Sequence, residues 1–89
     1  MTKVRIPPTL RNEVGGEREV TGAGETVREV LEDISGRYPG LETQLFEDGD
    51  LAPFVNVYVG GEDVRTLDGL DTRVSGAPMI LLPAMAGGC

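Results

Sequence analysis

Lys3-Val4-Arg5-Ile6 alternates polar and apolar side chains before Pro7-Pro8 interrupts it, a period-2 pattern that predicts a first β-strand. Gly15-Gly16 then offers a turn, and Glu17-Arg18-Glu19-Val20 leads into a second strand around residues 17–21. The two strands make a hairpin joined by a long loop from Pro7 to Val14. The period changes at Thr26. Val27, Val30, Leu31 and Ile34 fall at i, i+3, i+4 and i+7, one apolar stripe of an amphipathic helix. Thr26 followed three residues later by Glu29 is a capping-box signature, in which each side chain satisfies an orphan amide at the helix start. Glu25 and Glu29 at the start and Arg37 at the end complement the macrodipole, and Pro39-Gly40 stops the helix.

Beyond it, Leu41 to Glu47 predicts a short second helix with Leu41, Leu45 and Phe46 turned inward, and Asp48-Gly49-Asp50 a turn. Phe54-Val55-Asn56-Val57-Tyr58-Val59 is β-branched and aromatic, which predicts a strand with Val55, Val57 and Val59 on one face and Phe54, Asn56 and Tyr58 on the other. Gly60-Gly61 is a two-residue hairpin signal, and Glu62 to Thr66 returns as the next strand. Leu67 to Val74 is a polar connection with room for one helical turn, and Met79 to Pro83 is the last strand. The order β-β-α-β-β-β predicts an α+β fold: a mixed four- or five-stranded sheet with one main helix packed across it, burying the stripe. Residues 1–83 form the single domain and 84–89 a flexible tail.

Composition narrows what such a domain can do. With 89 residues the chain makes one domain, burying roughly 60–65% of the surface its unfolded form exposes. Lys+Arg 8 against Asp+Glu 15 leaves a net charge of -7, a field that repels nucleic acid and anionic membranes and suits a partner with a basic face. No apolar run approaches the roughly 20 residues of a membrane span, and the N-terminus lacks the apolar stretch of a signal peptide. A single cysteine excludes an internal disulfide and suits a reducing cytoplasm, the expected location. The chain has no histidine, the commonest general base and metal ligand, so Cys89 has none to activate it. The chain therefore reads as something enzymes act upon and not as an enzyme, with no resident cofactor or metal.

The chemistry then falls on the end of the chain, Ala86-Gly87-Gly88-Cys89. Glycine has no Cβ, so a Gly-Gly tail can lie extended in a channel too narrow for other side chains. Five residues from Ala84 to Gly88 reach roughly 17 Å, enough to carry a carboxyl group deep into another protein's pocket. Gly87-Gly88 could equally be a frayed terminus without function if taken out of its context. Phe54, Asn56 and Tyr58, extended by Met79 or Leu81 and by Pro83 on the last strand, are read either as a docking face or as a partly covered structural face; strand parity decides which side chains it contains. Gly22-Ala23-Gly24 between strand and helix has the look of a dinucleotide loop, but Val27 occupies its third glycine position and no βαβ unit follows, so it reads as a turn and helix start. Asp48 and Asp50, with Glu47, lack the remaining ligands of a calcium loop and read as a solvated acidic loop that can steer the chain toward a basic partner.

The order of elements and the tail together resemble the β-grasp, ubiquitin-like sulfur carriers of the ThiS and MoaD family, most of all the actinobacterial CysO type. The resemblance runs along most of the chain. It is carried by Ile6-Pro7-Pro8-Thr9-Leu10-Arg11, Gly15-Gly16, Gly24-Glu25-Thr26-Val27, Phe54-Val55-Asn56-Val57-Tyr58-Val59, Glu62-Asp63-Val64-Arg65 and Pro83-Ala84-Met85-Ala86-Gly87-Gly88. Two positions depart from the family pattern. Ser75-Gly76-Ala77-Pro78 replaces an Asp-Gly-Asp-like turn, and Cys89 follows the glycine that should be terminal.

The resemblance implies that Gly88 is adenylated with ATP by a ubiquitin-activating-type enzyme. Sulfide or a persulfide then converts it to a thiocarboxylate, which a sulfur-accepting synthase consumes. Cysteine is the first expected product, with a thiosugar, a siderophore, thiamine or molybdopterin as the others. It further implies removal of Cys89 by a JAMM-type metalloprotease, unless Cys89 is an engineered remainder, and a free chain that is monomeric. A ubiquitin-like modifier conjugated to lysines, and a β-grasp interaction domain without tail chemistry, are the alternatives.

Overall fold

The computed structural model describes residues 2–53 and 55–83. Phe54 and the tail residues Ala86, Gly87, Gly88 and Cys89 lie outside them, as does the side chain of Pro83. The first hairpin pairs β1 (Thr2–Arg5) antiparallel to β2 (Glu19–Gly22), with Val4 opposite Val20. The segment read as a loop between them is instead a 3₁₀ helix, Pro8–Val14, which buries Leu10 and Val14. Proline near its start suits the fixed φ of the first turn. Arg11 ties it back by donating from Nε to the Ile6 carbonyl at 3.1 Å.

Helix α1 (Val27–Arg37) forms as its stripe predicts: Val27, Val30, Leu31 and Ile34 are all fully buried. Thr26 is the N-cap, its Oγ1 accepting from the Glu29 amide at 3.3 Å. The return leg of the capping box differs from expectation. Glu29 Oε1 accepts from the amide of Glu25, at 2.8 Å, one residue ahead of the cap. Pro39 ends α1 and also begins α2 (Pro39–Leu45), where it needs no amide partner at the first helical position. The second helix stops short of the expected Glu47. Phe46 and Glu47 leave it as strand β3 (Phe46–Glu47) and pair with β4 (Asp50–Leu51). The turn between them, Asp48-Gly49, has φ of 55° and 80°, the double left-handed geometry of a tight hairpin.

β5 (Val55–Val59) and β6 (Glu62–Asp63) make the next hairpin, and β7 (Met79–Pro83) closes the sheet. The expected strand through Thr66 breaks after Asp63. The Asp63 carboxylate accepts from the Arg65 amide at 2.9 Å and turns the chain into a 3₁₀ helix, Val64–Thr66. A third 3₁₀ helix, Gly69–Asp71, supplies the helical turn anticipated in the polar connection. At the departure from the family pattern, Ser75 (φ 46°) and Gly76 (φ 78°) still make a tight turn, closed by the Ala77 amide on the Val74 carbonyl at 2.7 Å.

The five-stranded sheet runs β2-β1-β7-β5-β6, with β1 and β7 parallel and the other neighbours antiparallel. It is therefore mixed, and α1 crosses one face. Val4, Val20, Val55, Val57, Val59, Met79 and Leu81 meet the helix stripe in a single core. Among the described residues no helix is long and apolar enough to cross a membrane.

Candidate functional site

β7 lies at the centre of the sheet, gripped by parallel β1 and antiparallel β5, and its final residue, Pro83, pairs with Val55. β1 holds only the start of β7, at Met79 and Ile80, whereas β5 pairs along its whole length, so Pro83, the exit end of the strand, lies beside the start of β5.

The face around that exit differs from the expected one on β7. Val55, Val57 and Val59 are buried and Asn56 and Tyr58 half-buried, as their alternation predicts. Opposite Val57 and Val59, however, stand Leu81 and Met79, each 1% exposed. Met79 and Leu81 belong to the core and cannot dock a partner. Their neighbours Ile80, half-buried, and Leu82, 44% exposed, pair with Tyr58 and Asn56 and occupy the outer face instead. The reason is physical. Met79-Ile80-Leu81-Leu82 is apolar at every position, so its pattern carries no inside and outside, and only the register against the valines of β5 assigns them.

The outer face continues across the sheet. Ile80 also lies beside Arg5 on β1, and Tyr58 beside Asp63 on β6. Lys3 and Arg5 are exposed there, so this side presents apolar patches with cations alongside. Arg65, which sequence reasoning did not single out as a site residue, braces the corner at the start of β5, beside the end of β7. Its Nη1 donates to Asn56 Oδ1 at 2.7 Å and its Nη2 to the Ala52 carbonyl at 2.8 Å. One guanidinium thus joins β5, the loop before it and the 3₁₀ turn after β6. The only advance signal was an arginine a few residues beyond the hairpin turn that follows Asn56.

The other candidates are structural. Gly22 faces α1, where a Cβ would lie 2.8 Å from Val30 Cγ1, and Gly24 is as close to Glu29 and Val30. The glycines admit the helix to the sheet. A cavity of about 190 Å³ opens beside Gly24, lined by Glu25, Arg73, Ser75 and Gly76. It sits before the start of β7, at the opposite end of that strand from the tail. The Arg73–Glu25 pair at its rim, 3.4 Å apart, is exposed on both sides. In the acidic loop, Asp50 Oδ1 accepts from the Leu51 amide at 2.7 Å, and among the described residues no three metal-ligating side chains converge.

This architecture, and the sequence that builds it, recur in known proteins. The chain matches the ThiS family over residues 4–88, a match that ends on Gly88 and leaves Cys89 outside. It is 40% identical over 89 residues to the sulfur carrier protein CysO of Mycobacterium tuberculosis, covering 96% of each chain. It is 41% identical over 90 residues to small archaeal modifier protein 3 of Haloferax volcanii, covering 97% of each. Among solved structures, the CysO-type chain in the crystal structure of the Amycolatopsis orientalis BexX/CysO complex superposes with a TM-score of 0.92 at 42% identity, over 99% of this chain and 100% of that one. Such neighbours are ubiquitin-like β-grasp proteins. The likeness runs nearly the full length of these relatives, and the chain belongs to the ThiS family.

Proposed function

We propose that this protein is a sulfur carrier whose cargo rides on the C-terminal carboxyl of Gly88. The observation that carries the reading is the ThiS-family match through Gly88, on a chain whose last described strand, β7, lies inside the sheet and ends at Pro83, just before the Gly-Gly segment in sequence. The name of the Mycobacterium relative supports sulfur carriage and, through the CysO type that the Amycolatopsis complex also names, cysteine as the product.

The chemistry explains why a carrier needs a partner. A carboxylate is a poor electrophile, because its negative charge repels nucleophiles. ATP converts the Gly88 carboxylate to an acyl adenylate, releasing pyrophosphate. Sulfide attacks the acyl carbon and AMP departs with the C–O electron pair, leaving a thiocarboxylate. With a persulfide as donor the first product is an acyl disulfide, and a second thiol must reduce it. The adenylation and sulfur transfer belong to a ubiquitin-activating-type enzyme, and a synthase takes the sulfur. The protein's own part is to dock through the outer face at Asn56, Tyr58, Ile80 and Leu82, and to extend a slim tail.

Cys89 blocks this route, since Gly88 is then held in an amide. A peptidase, of the metalloprotease type the family resemblance implies, removes Cys89 first. Intact mass of the protein from its native host tests the whole reading. Loss of Cys89 with one terminal oxygen replaced by sulfur is the expected result. A mass that always retains Cys89, even under sulfur starvation, rejects it.

The identity to an archaeal modifier protein favours one second reading, in which a lysine amine of another protein captures the activated Gly88. Isopeptide-linked conjugates in cell extracts, absent when Gly88 is deleted, distinguish it.

A further inference from the structure

The Arg65 clamp has a chemical direction. Guanidinium nitrogens only donate, so the Asn56 side chain must turn its oxygen toward Arg65, 2.7 Å away. That fixes the amide flip and leaves the Asn56 Nδ2 group as a donor, which among the described residues has no acceptor. The second arm of Arg65, on the buried Ala52 carbonyl at 2.8 Å, keeps the guanidinium from following Asn56. A third contact holds the backbone beneath it, where the Arg65 amide donates to Asp63 Oδ1 at 2.9 Å. Asn56 stands opposite exposed Leu82, one position before the end of β7. A locked amide donor therefore sits beside an exposed apolar side chain at the root of the tail. That pairing suits recognition of a protein surface, where the apolar contact supplies area and the fixed donor supplies orientation.

We propose that Asn56 is a recognition residue for the adenylating enzyme, donating from Nδ2 to an acceptor oxygen on the enzyme, and that Arg65 is the positioning residue that presents it. The inference rests on the carrier reading. It adds that the tail enters the enzyme in register because this donor is set before contact, so less ordering is required on binding.

The test is ATP–pyrophosphate exchange by a ubiquitin-activating-type enzyme of the same host, with the chain ending at Gly88 as substrate. Asn56→Asp keeps an oxygen for Arg65 and so keeps the clamp, but replaces the donor with a second acceptor. It is expected to raise KM for the carrier about tenfold with kcat unchanged, since acceptor then faces acceptor. Arg65→Lys keeps the charge but cannot span both oxygens, and is expected to raise KM about threefold. Melting temperature of the Asn56→Asp protein should match the parent, which separates recognition from folding. If both variants keep the parent KM, or if kcat falls while KM holds, the proposal is overturned and the carrier reading survives. If the parent chain itself supports no exchange, the carrier reading fails and takes the proposal with it.

Discussion

Gly22, at the end of β2, packs against α1. A Cβ there would meet Val30 Cγ1 at 2.8 Å, and Ile34 Cγ1 and the Val30 carbonyl at 3.0 Å each. Gly22→Ala should therefore cost about 1–3 kcal/mol by overpacking, read as a lower urea midpoint at unchanged slope. Ser35 is the opposite case. Its hydroxyl is buried on α1 and finds no hydrogen-bond partner among the described residues. Ser35→Ala removes an unsatisfied polar atom and places the best helix former at that position, so it should stabilise by about 0.5–2 kcal/mol in the same assay. Neither effect was legible in the sequence. Gly22 read as part of a turn, and nothing in the local pattern marked Ser35, because both effects depend on what lies across the interface.

Within single elements, α1 was the most legible. Its cap, stripe and stop all act within one chain segment, and local interactions need no knowledge of the rest of the fold. Thr26→Ala should lower stability by about 0.5–1 kcal/mol through loss of the contact to the Glu29 amide, an effect to be measured by thermal unfolding. Elements whose ends are set by competition were less legible. α2 loses Phe46 and Glu47 to the small hairpin because Asp48-Gly49 offers a tight turn and Leu51 supplies Phe46 with a strand partner. β6 ends at Asp63 because that side chain caps a 3₁₀ turn. β7 was legible as a strand and illegible as a face, since its apolar run left Met79 and Leu81 interchangeable with Ile80 and Leu82 until β5 paired with it.

At the scale of the whole molecule, the core and the proposed chemistry fall on different parts of the sequence. Among the described residues, those that make the core lie between Val4 and Leu81. A chain lacking Gly87 to Cys89 should therefore melt with the full-length protein while supporting no adenylation; a lower melting temperature would show the tail to be part of the fold. Charge acts at the same scale. With a net charge of -7 and Lys3 and Arg5 confined to the outer face, most of the surface field is negative. Association with a basic partner should slow about tenfold as salt screens that field, as stopped-flow measurements at rising ionic strength would show.

The α+β order, the main helix and the Gly-Gly tail were all written in local patterns: a period of 3.6, a period of 2, a cap, a pair of glycines. Such patterns act over a few residues, so they survive without any knowledge of neighbours. The outward face of β7, the fit of Gly22 beneath α1 and the Arg65 bridge to Asn56 and Ala52 depend on residues 8 to 26 positions apart meeting in space. Register and side-chain geometry across that distance are properties of the packed molecule, and only tertiary structure decides them.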